Sequence, residues 1–181
     1  MQIEKTPLQD CLLITPRVFT DNRGSFFEVY NHQKFKEATG ITKDFVQDNQ
    51  SSSQYGSLRG LHLQVGDYAQ AKLVRVVKGK VYDVAVDLRK NSPSFKKVHG
   101  AILSEENHKQ LFVPRGFAHG FVSLSKEVIF SYKCDNYYNK ASERGIIYND
   151  QDLDIDWKIP EKDIILSEKD AELPTLKQFL Q

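Results

Sequence analysis

Cysteine is scarce in this chain: two residues, Cys11 and Cys134, among 181. Two thiols with no Cys-x-x-Cys spacing cannot build a disulfide framework, and they suit a reducing compartment. Long apolar runs are absent as well, and none approaches the ~20 residues of a membrane-spanning helix. The N-terminal MQIEKTPLQDCLLITPR lacks the apolar core of a signal peptide. A cytoplasmic protein with no membrane role is expected. Excess charge of one sign is missing, because 25 Lys+Arg face 24 Asp+Glu. Nucleic acid is therefore not an expected partner, since it needs a basic face. There is no GxGxxG and no P-loop, so any phosphate must be held by side chains. No repeat or linker interrupts the chain. Its length suits one domain with a full core, residues 1–181.

What is present is a series of short strand-like segments separated by Gly, Pro, Asn and Asp. Leu73–Val77 and Val81–Leu88 are joined by Lys78-Gly79-Lys80, which reads as a hairpin turn. In the second segment Tyr82, Val84, Val86 and Leu88 share one face, while Val81, Asp83, Ala85 and Asp87 share the other. Further strands are expected at Leu12–Thr15, Gly24–Tyr30, Gly60–Gln64, His99–Leu103, Gln110–Val113, Gly120–Ser123, Val128–Lys133 and Gly145–Tyr148. Helix is minor. Asn31 can cap a helix over His32–Thr39 that Gly40 ends. Ser104-Glu-Glu-Asn resembles a short helical start, and the tail from Ser167 is helical with a break at Pro174. The whole is an all-β sandwich or barrel.

Two of these segments carry histidine: GSLRGLHLQ has His62 and PRGFAHGF has His119. Short histidine-bearing strands around a hairpin are the skeleton of a cupin barrel, which raises the question of a metal. A metal-binding cupin shows His-x-His, a Glu, and a further His. Here the partner of His62 is Gln64, and Ala69, Gln70 and Ala71 offer no carboxylate. Two histidines are too few for a divalent ion, so no metal is expected.

Proton transfer is the better use of His62, whose side-chain type has a reference pKa of ~6.5. Against it stands the ordinary role of a satisfied core histidine. Arg59, Gln64, Lys72 and Asp83 make the surroundings polar enough to favour function. A base needs a partner on its other ring nitrogen, and Asp83, Asp87 and Asp170 are candidates. Asp170 has a rival role, because Ser167-Glu-Lys-Asp170 fits a capping box. Tyr132 shares parity with Val128 and Phe130, so it is either a core aromatic or a proton donor facing the base. Arg23, Arg59, Lys72, Arg115 and Lys169 are candidate anion contacts, and Arg59 and Lys72 stand out because they flank His62 in apolar sequence.

In order, FTDNRGSFFEVYN, DFVQDNQSSS, GSLRGLHLQ, QAKLVRVVKGKVYDVAVDLRKNSPSF, QLFVPRGFAHGF, YKCDNYYN, ERGIIYND and ILSEKD resemble the dTDP-4-dehydrorhamnose 3,5-epimerase family. The blocks cover nearly the whole chain. The resemblance implies a cupin-type jelly roll, a homodimer, a dTDP-sugar substrate and no cofactor. It implies His62 as base, Tyr132 as acid, Asp170 as the residue orienting His62, and Lys72 near a developing enolate. It implies substrate contacts from Arg23, Glu28, Gln47, Asn49, Arg59, His119, Glu143 and Lys169, with Tyr138 near the thymine. Tyr148 departs from the family, which often has tryptophan there, and the edge of the pocket is where an effect is expected. The competing readings are a monofunctional 3- or 5-epimerase of a related sugar, a non-catalytic sugar-binding cupin, and a metal oxygenase.

One geometric expectation is separate. Strict alternation puts Arg59 with Leu61 and Leu63, opposite His62. Both can meet one substrate only if the strand is bulged or begins at Arg59–Gly60.

Overall fold

A computed structural model describes all 181 residues. Thirteen strands follow in chain order: β1 Gln2–Lys5, β2 Leu12–Thr15, β3 Val18–Asp21, β4 Gly24–Phe27, β5 Gln47–Gln54, β6 Leu58–Gln64, β7 Lys72–Lys78, β8 Lys80–Asp87, β9 Val98–Ser104, β10 Gln110–Val113, β11 Phe117–Ser123, β12 Glu127–Cys134 and β13 Glu143–Gly145. The helices are α1 His32–Thr39, α2 Glu168–Ala171 and α3 Leu176–Phe179. One antiparallel sheet runs β1-β2-β10-β7-β12-β5, and the second runs β13-β6-β11-β8-β9. From β5 onward the chain passes repeatedly from one sheet to the other, which is the jelly-roll arrangement of a cupin-type fold. No helix is long and apolar enough to cross a membrane.

Alternation along the strands builds three apolar layers. Between the sheets lie Val74, Val76, Val81, Ala85, Phe121, Val128 and Phe130. Behind the five-stranded sheet, Leu61, Leu63, Val84, Val86 and Val122 pack under the C-terminal segment with Trp157 and Leu176. Outside the six-stranded sheet, Phe35 of α1 packs on Leu73 and Phe112. Asn31 caps α1, accepting from Lys34 N–H, and Gly40 ends it with a φ of 73°.

Several expectations need correction. Lys78-Gly79-Lys80 is not a hairpin, because β7 and β8 belong to different sheets. Gly79, at a φ of 79°, turns the corner between them, and its N–H and C=O are both held by Glu105. Ser104–Asn107 makes reciprocal cap-like bonds but no helix; His108, at a φ of 53°, ends the turn. The strand expected over Gly24–Tyr30 stops at Phe27, since Glu28 onward leads into α1. Glu143–Gly145 pairs with β6 where Gly145–Tyr148 was expected. β1, β3 and β5 were not anticipated. β5, QDNQSSSQ, has no apolar alternation to reveal it.

Candidate active site

His62 stands on β6 and Tyr132 on β12, so they come from opposite sheets and line one cavity of about 270 Å³. Arg59, Lys72, His119, Lys169 and Asp170 share its wall, with Phe121 and Phe130 as an aromatic patch. The two aromatic rings stack with centroids 4.1 Å apart.

The bulge decides which residues can meet here. Across the β6–β11 ladder His62 pairs with His119 and Arg59 with Phe121. Gly60 and Leu61 therefore oppose the single residue Gly120. Gly60 has a φ of 131°, which an L side chain rarely adopts. The extra residue reverses parity, so Arg59 faces the cavity with His62 while Leu58, Leu61 and Leu63 face the core behind. Arg59 is fixed by two bonds, Nε to Ser53 Oγ at 3.1 Å and an Nη to the Ser52 carbonyl at 3.2 Å.

His62 Nε2 lies 2.7 Å from Asp170 Oδ1. Burial raises the Asp170 pKa, but the hydrogen bond from His62 and the N–H of Gly60 outweigh it and hold the carboxyl below its usual value. An ionised partner accepts, so Nε2 carries the proton and Nδ1 is left as the accepting atom. The capping role of Asp170 survives in half: Ser167 Oγ accepts from the Asp170 N–H, while the carboxylate turns to His62. The other two candidate partners are used elsewhere. Asp83 takes His119, whose Nε2 is 3.0 Å from both carboxylate oxygens, and Asp87 holds Arg89, Ser92 and Ser94.

Tyr132 is pushed above the usual tyrosine value, chiefly by burial, so it stays a protonated donor. Lys72 is pushed below the usual lysine value by burial. Its ammonium has no hydrogen-bond acceptor from the chain and sits 5.9 Å from the centroid of the Tyr132 ring. A desolvated cation without a carboxylate suits a site where negative charge arrives with the substrate.

A chain of hydrogen bonds connects most of the remaining candidates. Gln47 Nε2 donates to Asn49 Oδ1, and the Tyr138 N–H donates to Gln47 Oε1. The Tyr138 hydroxyl donates to Glu143, which pairs with Lys169 Nζ at 2.6 Å. Burial raises the Glu143 pKa, but the bonds from Lys169 and Tyr138 bring it below the usual value.

Gln47, Asn49, Tyr138 and Glu143 belong to this chain of bonds and not to the cavity lining itself, and Arg23, Glu28, Arg115 and Tyr148 lie on neither. Arg23 is at the tip of the β3–β4 ribbon, paired with Asp21, and that ribbon joins neither large sheet. Glu28 follows the ribbon and pairs with Lys34. They line separate recesses of about 450 and 380 Å³, neither of which holds a candidate base. Arg115 is committed to Asp135. Tyr148 packs behind the five-stranded sheet, and its carbonyl accepts from the Trp157 indole, so the departure there does not touch the pocket edge. Conversely, Gln50, Ser51, Phe121, Phe130 and Ser167 line the cavity although none is among the expected site residues. Only the parity of Phe130 with Tyr132 hinted at any of them. No group of three or more His, Cys, Asp or Glu is arranged to hold a metal. Gln64 instead staples the loops, donating to the carbonyls of Tyr68 and Tyr137.

A family model described as dTDP-4-dehydrorhamnose 3,5-epimerase matches residues 5–178. The dTDP-4-dehydrorhamnose 3,5-epimerase of Shigella flexneri is 52% identical over 170 residues, 94% of this chain and 93% of that protein. The crystal structure of the enzyme of that name from Elizabethkingia anophelis is 61% identical, with a TM-score of 0.95 over 98% of this chain and 97% of that one. A dTDP-6-deoxy-D-glucose-3,5-epimerase from Legionella pneumophila, solved with dTDP-4-keto-L-rhamnose, is 46% identical, with a TM-score of 0.93 over 97% of this chain and 93% of that one. A match of this length and identity, on a chain that sets a histidine–aspartate pair against a tyrosine, makes it a member of the dTDP-4-dehydrorhamnose 3,5-epimerase family.

Proposed function

We propose that this enzyme epimerises dTDP-4-keto-6-deoxy-D-glucose at carbons 3 and 5, giving dTDP-4-keto-L-rhamnose for dTDP-L-rhamnose synthesis. The observation that carries the roles is the pairing of a histidine and a tyrosine on opposite walls of one cavity beside a partly desolvated ammonium. The ketone acidifies carbons 3 and 5. Nδ1 of His62 takes a proton from one of them, and the electron pair moves onto oxygen 4 as an enolate. Lys72 stabilises that charge. Tyr132 delivers a proton to the same carbon from the opposite face, and the imidazolium and phenolate exchange protons with water before the second carbon reacts. No electron is gained or lost, so the cycle needs no cofactor.

Arg59 binds the diphosphate, supplying binding energy remote from the reacting carbons. Lys169, Glu143, Gln47, Asn49 and His119 orient the substrate, and the exposed Tyr138 stacks on the thymine. The enzyme is a homodimer. Phe19 and Phe26 of the β3–β4 ribbon are 52% and 72% exposed, and a second copy covers them, bringing Arg23 and Glu28 to a neighbouring cavity. Its two buried free thiols suit the cytoplasm.

Incubation with the substrate in deuterated water tests the reaction. Deuterium at both carbon 3 and carbon 5 of an L-configured product is the expected result. Exchange and inversion at one carbon only would assign a monofunctional epimerase instead.

A further inference from the structure

Three buried hydroxyls in the chain have no hydrogen-bond partner: those of Thr15, Ser51 and Ser123. Of these, only Ser51 lines the cavity that holds His62 and Tyr132. A buried hydroxyl without a partner is costly, and an alanine would suit an apolar wall better. The position is on the inner face of β5, where Asn49, Ser51 and Ser53 follow one another by alternation. Both neighbours are occupied. The Asn49 amide donates to Cys134 Sγ at 3.7 Å, and Ser53 Oγ accepts from Arg59 at 3.1 Å. Ser51 alone has its bonding capacity free, beside Phe130 across the ladder.

We propose that Ser51 binds the hydroxyl on carbon 2 of the hexose and so determines which sugars the enzyme accepts. The assignment rests on the reading of this cavity as the hexose site. Carbon 2 lies between carbon 1, which bears the diphosphate, and the reacting carbon 3. The inner face of β5 has the same order. Ser53 anchors Arg59 at the diphosphate end, Asn49 pairs with Tyr132 at the reacting end, and Ser51 lies between them. The chemistry selects the same group. Inversion displaces the substituents on carbons 3 and 5, and oxygen 4 becomes an enolate that needs a cation. The carbon 2 hydroxyl is neutral and is carried by no reacting carbon. A short side chain fixed on a strand can therefore hold it through both inversions.

A cycle of two enzymes and two substrates tests this. Wild type and Ser51→Ala are each assayed on the natural substrate and on its 2-deoxy analogue, by kcat/KM and by solvent deuterium uptake. Ser51→Ala lowers kcat/KM on the natural substrate about 10–100-fold, the range for a lost hydrogen bond to a substrate hydroxyl. On the 2-deoxy analogue, wild type and variant are equal. Equal loss on both substrates, or no loss on either, overturns the assignment. So does coupling that appears with a 3-deoxy analogue and not with the 2-deoxy one. Ser51→Cys, which barely changes volume, reproduces the pattern, and unchanged melting of both variants separates it from misfolding. Wild type that turns over neither substrate would refute the site reading itself, whereas active wild type without coupling refutes only the role of Ser51.

Discussion

His62 and Asp170 touch at 2.7 Å although 108 positions separate them in the chain. The carboxylate fixes the proton on Nε2 and leaves Nδ1 free to accept one, as the proposed base must. Asp170→Asn keeps the shape but presents an amide, whose N–H can force the other tautomer. We expect kcat to fall roughly 10²–10⁴-fold with KM little changed, and His62→Ala to fall at least as far while still folding. Near-normal kcat in folded Asp170→Asn would remove the pair from the chemistry.

Tyr132→Phe deletes a hydroxyl and keeps the ring that packs beside Phe130. Proton removal by His62 survives, so deuterium still enters from solvent while net inversion is lost. Both quantities are read in one proton spectrum of the sugar. Their parallel loss would mean that Tyr132 does more than donate.

Lys72 and Tyr132 are displaced by burial in opposite directions, the lysine downward and the tyrosine upward. Burial favours the neutral form of each, so it brings forward the deprotonation of the lysine and holds back that of the tyrosine as pH rises. Turnover therefore declines on the alkaline side when Lys72 becomes neutral, while Tyr132 is still protonated. Lys72→Arg, which stays charged, moves that decline to higher pH. A decline at the same pH in wild type and in active Lys72→Arg assigns it to another group.

How much of this was legible in the sequence depended on whether a segment follows an apolar period. Val81–Leu88 alternates, and both of its faces were read correctly. β5 does not alternate in hydrophobicity, because its inner side chains face a polar cavity, so neither the strand nor Ser51 leaves a periodic signal. The expected hairpin at Gly79 fails for another reason. A glycine with positive φ serves a sheet-to-sheet corner as well as a hairpin, and only long-range pairing distinguishes them. His62, Tyr132, Lys72 and Asp170 are candidates on the residues themselves, and the family blocks give each its role. The residues alone left Asp83, Asp87 and Asp170 open, since a contact across 108 positions leaves no local periodic trace. Arg23 and Glu28 were named from the same blocks, yet the fold of one chain keeps them out of the cavity.

The bulge at Gly60 is what lets Arg59 and His62 share a cavity, and it can be tested apart from any side chain in the site. A Cβ at Gly60 would stand 2.5 Å from Gly120 Cα and 2.8 Å from the His119 carbonyl oxygen, at a φ of 131°. Gly24 has nearly the same φ, 129°, but nothing within 4 Å of a Cβ. Gly24→Ala therefore reports backbone strain alone, about 1–3 kcal/mol. Gly60→Ala adds a backbone clash in a packed ladder, for a total of roughly 2–6 kcal/mol. Chemical denaturation of the two variants gives the difference directly. Relief of the clash requires β6 to slide toward regular pleating, which swings Arg59 away from His62. We therefore expect folded Gly60→Ala to bind dTDP far more weakly than wild type does. Wild-type dTDP affinity in folded Gly60→Ala would show that the bulge does not position Arg59.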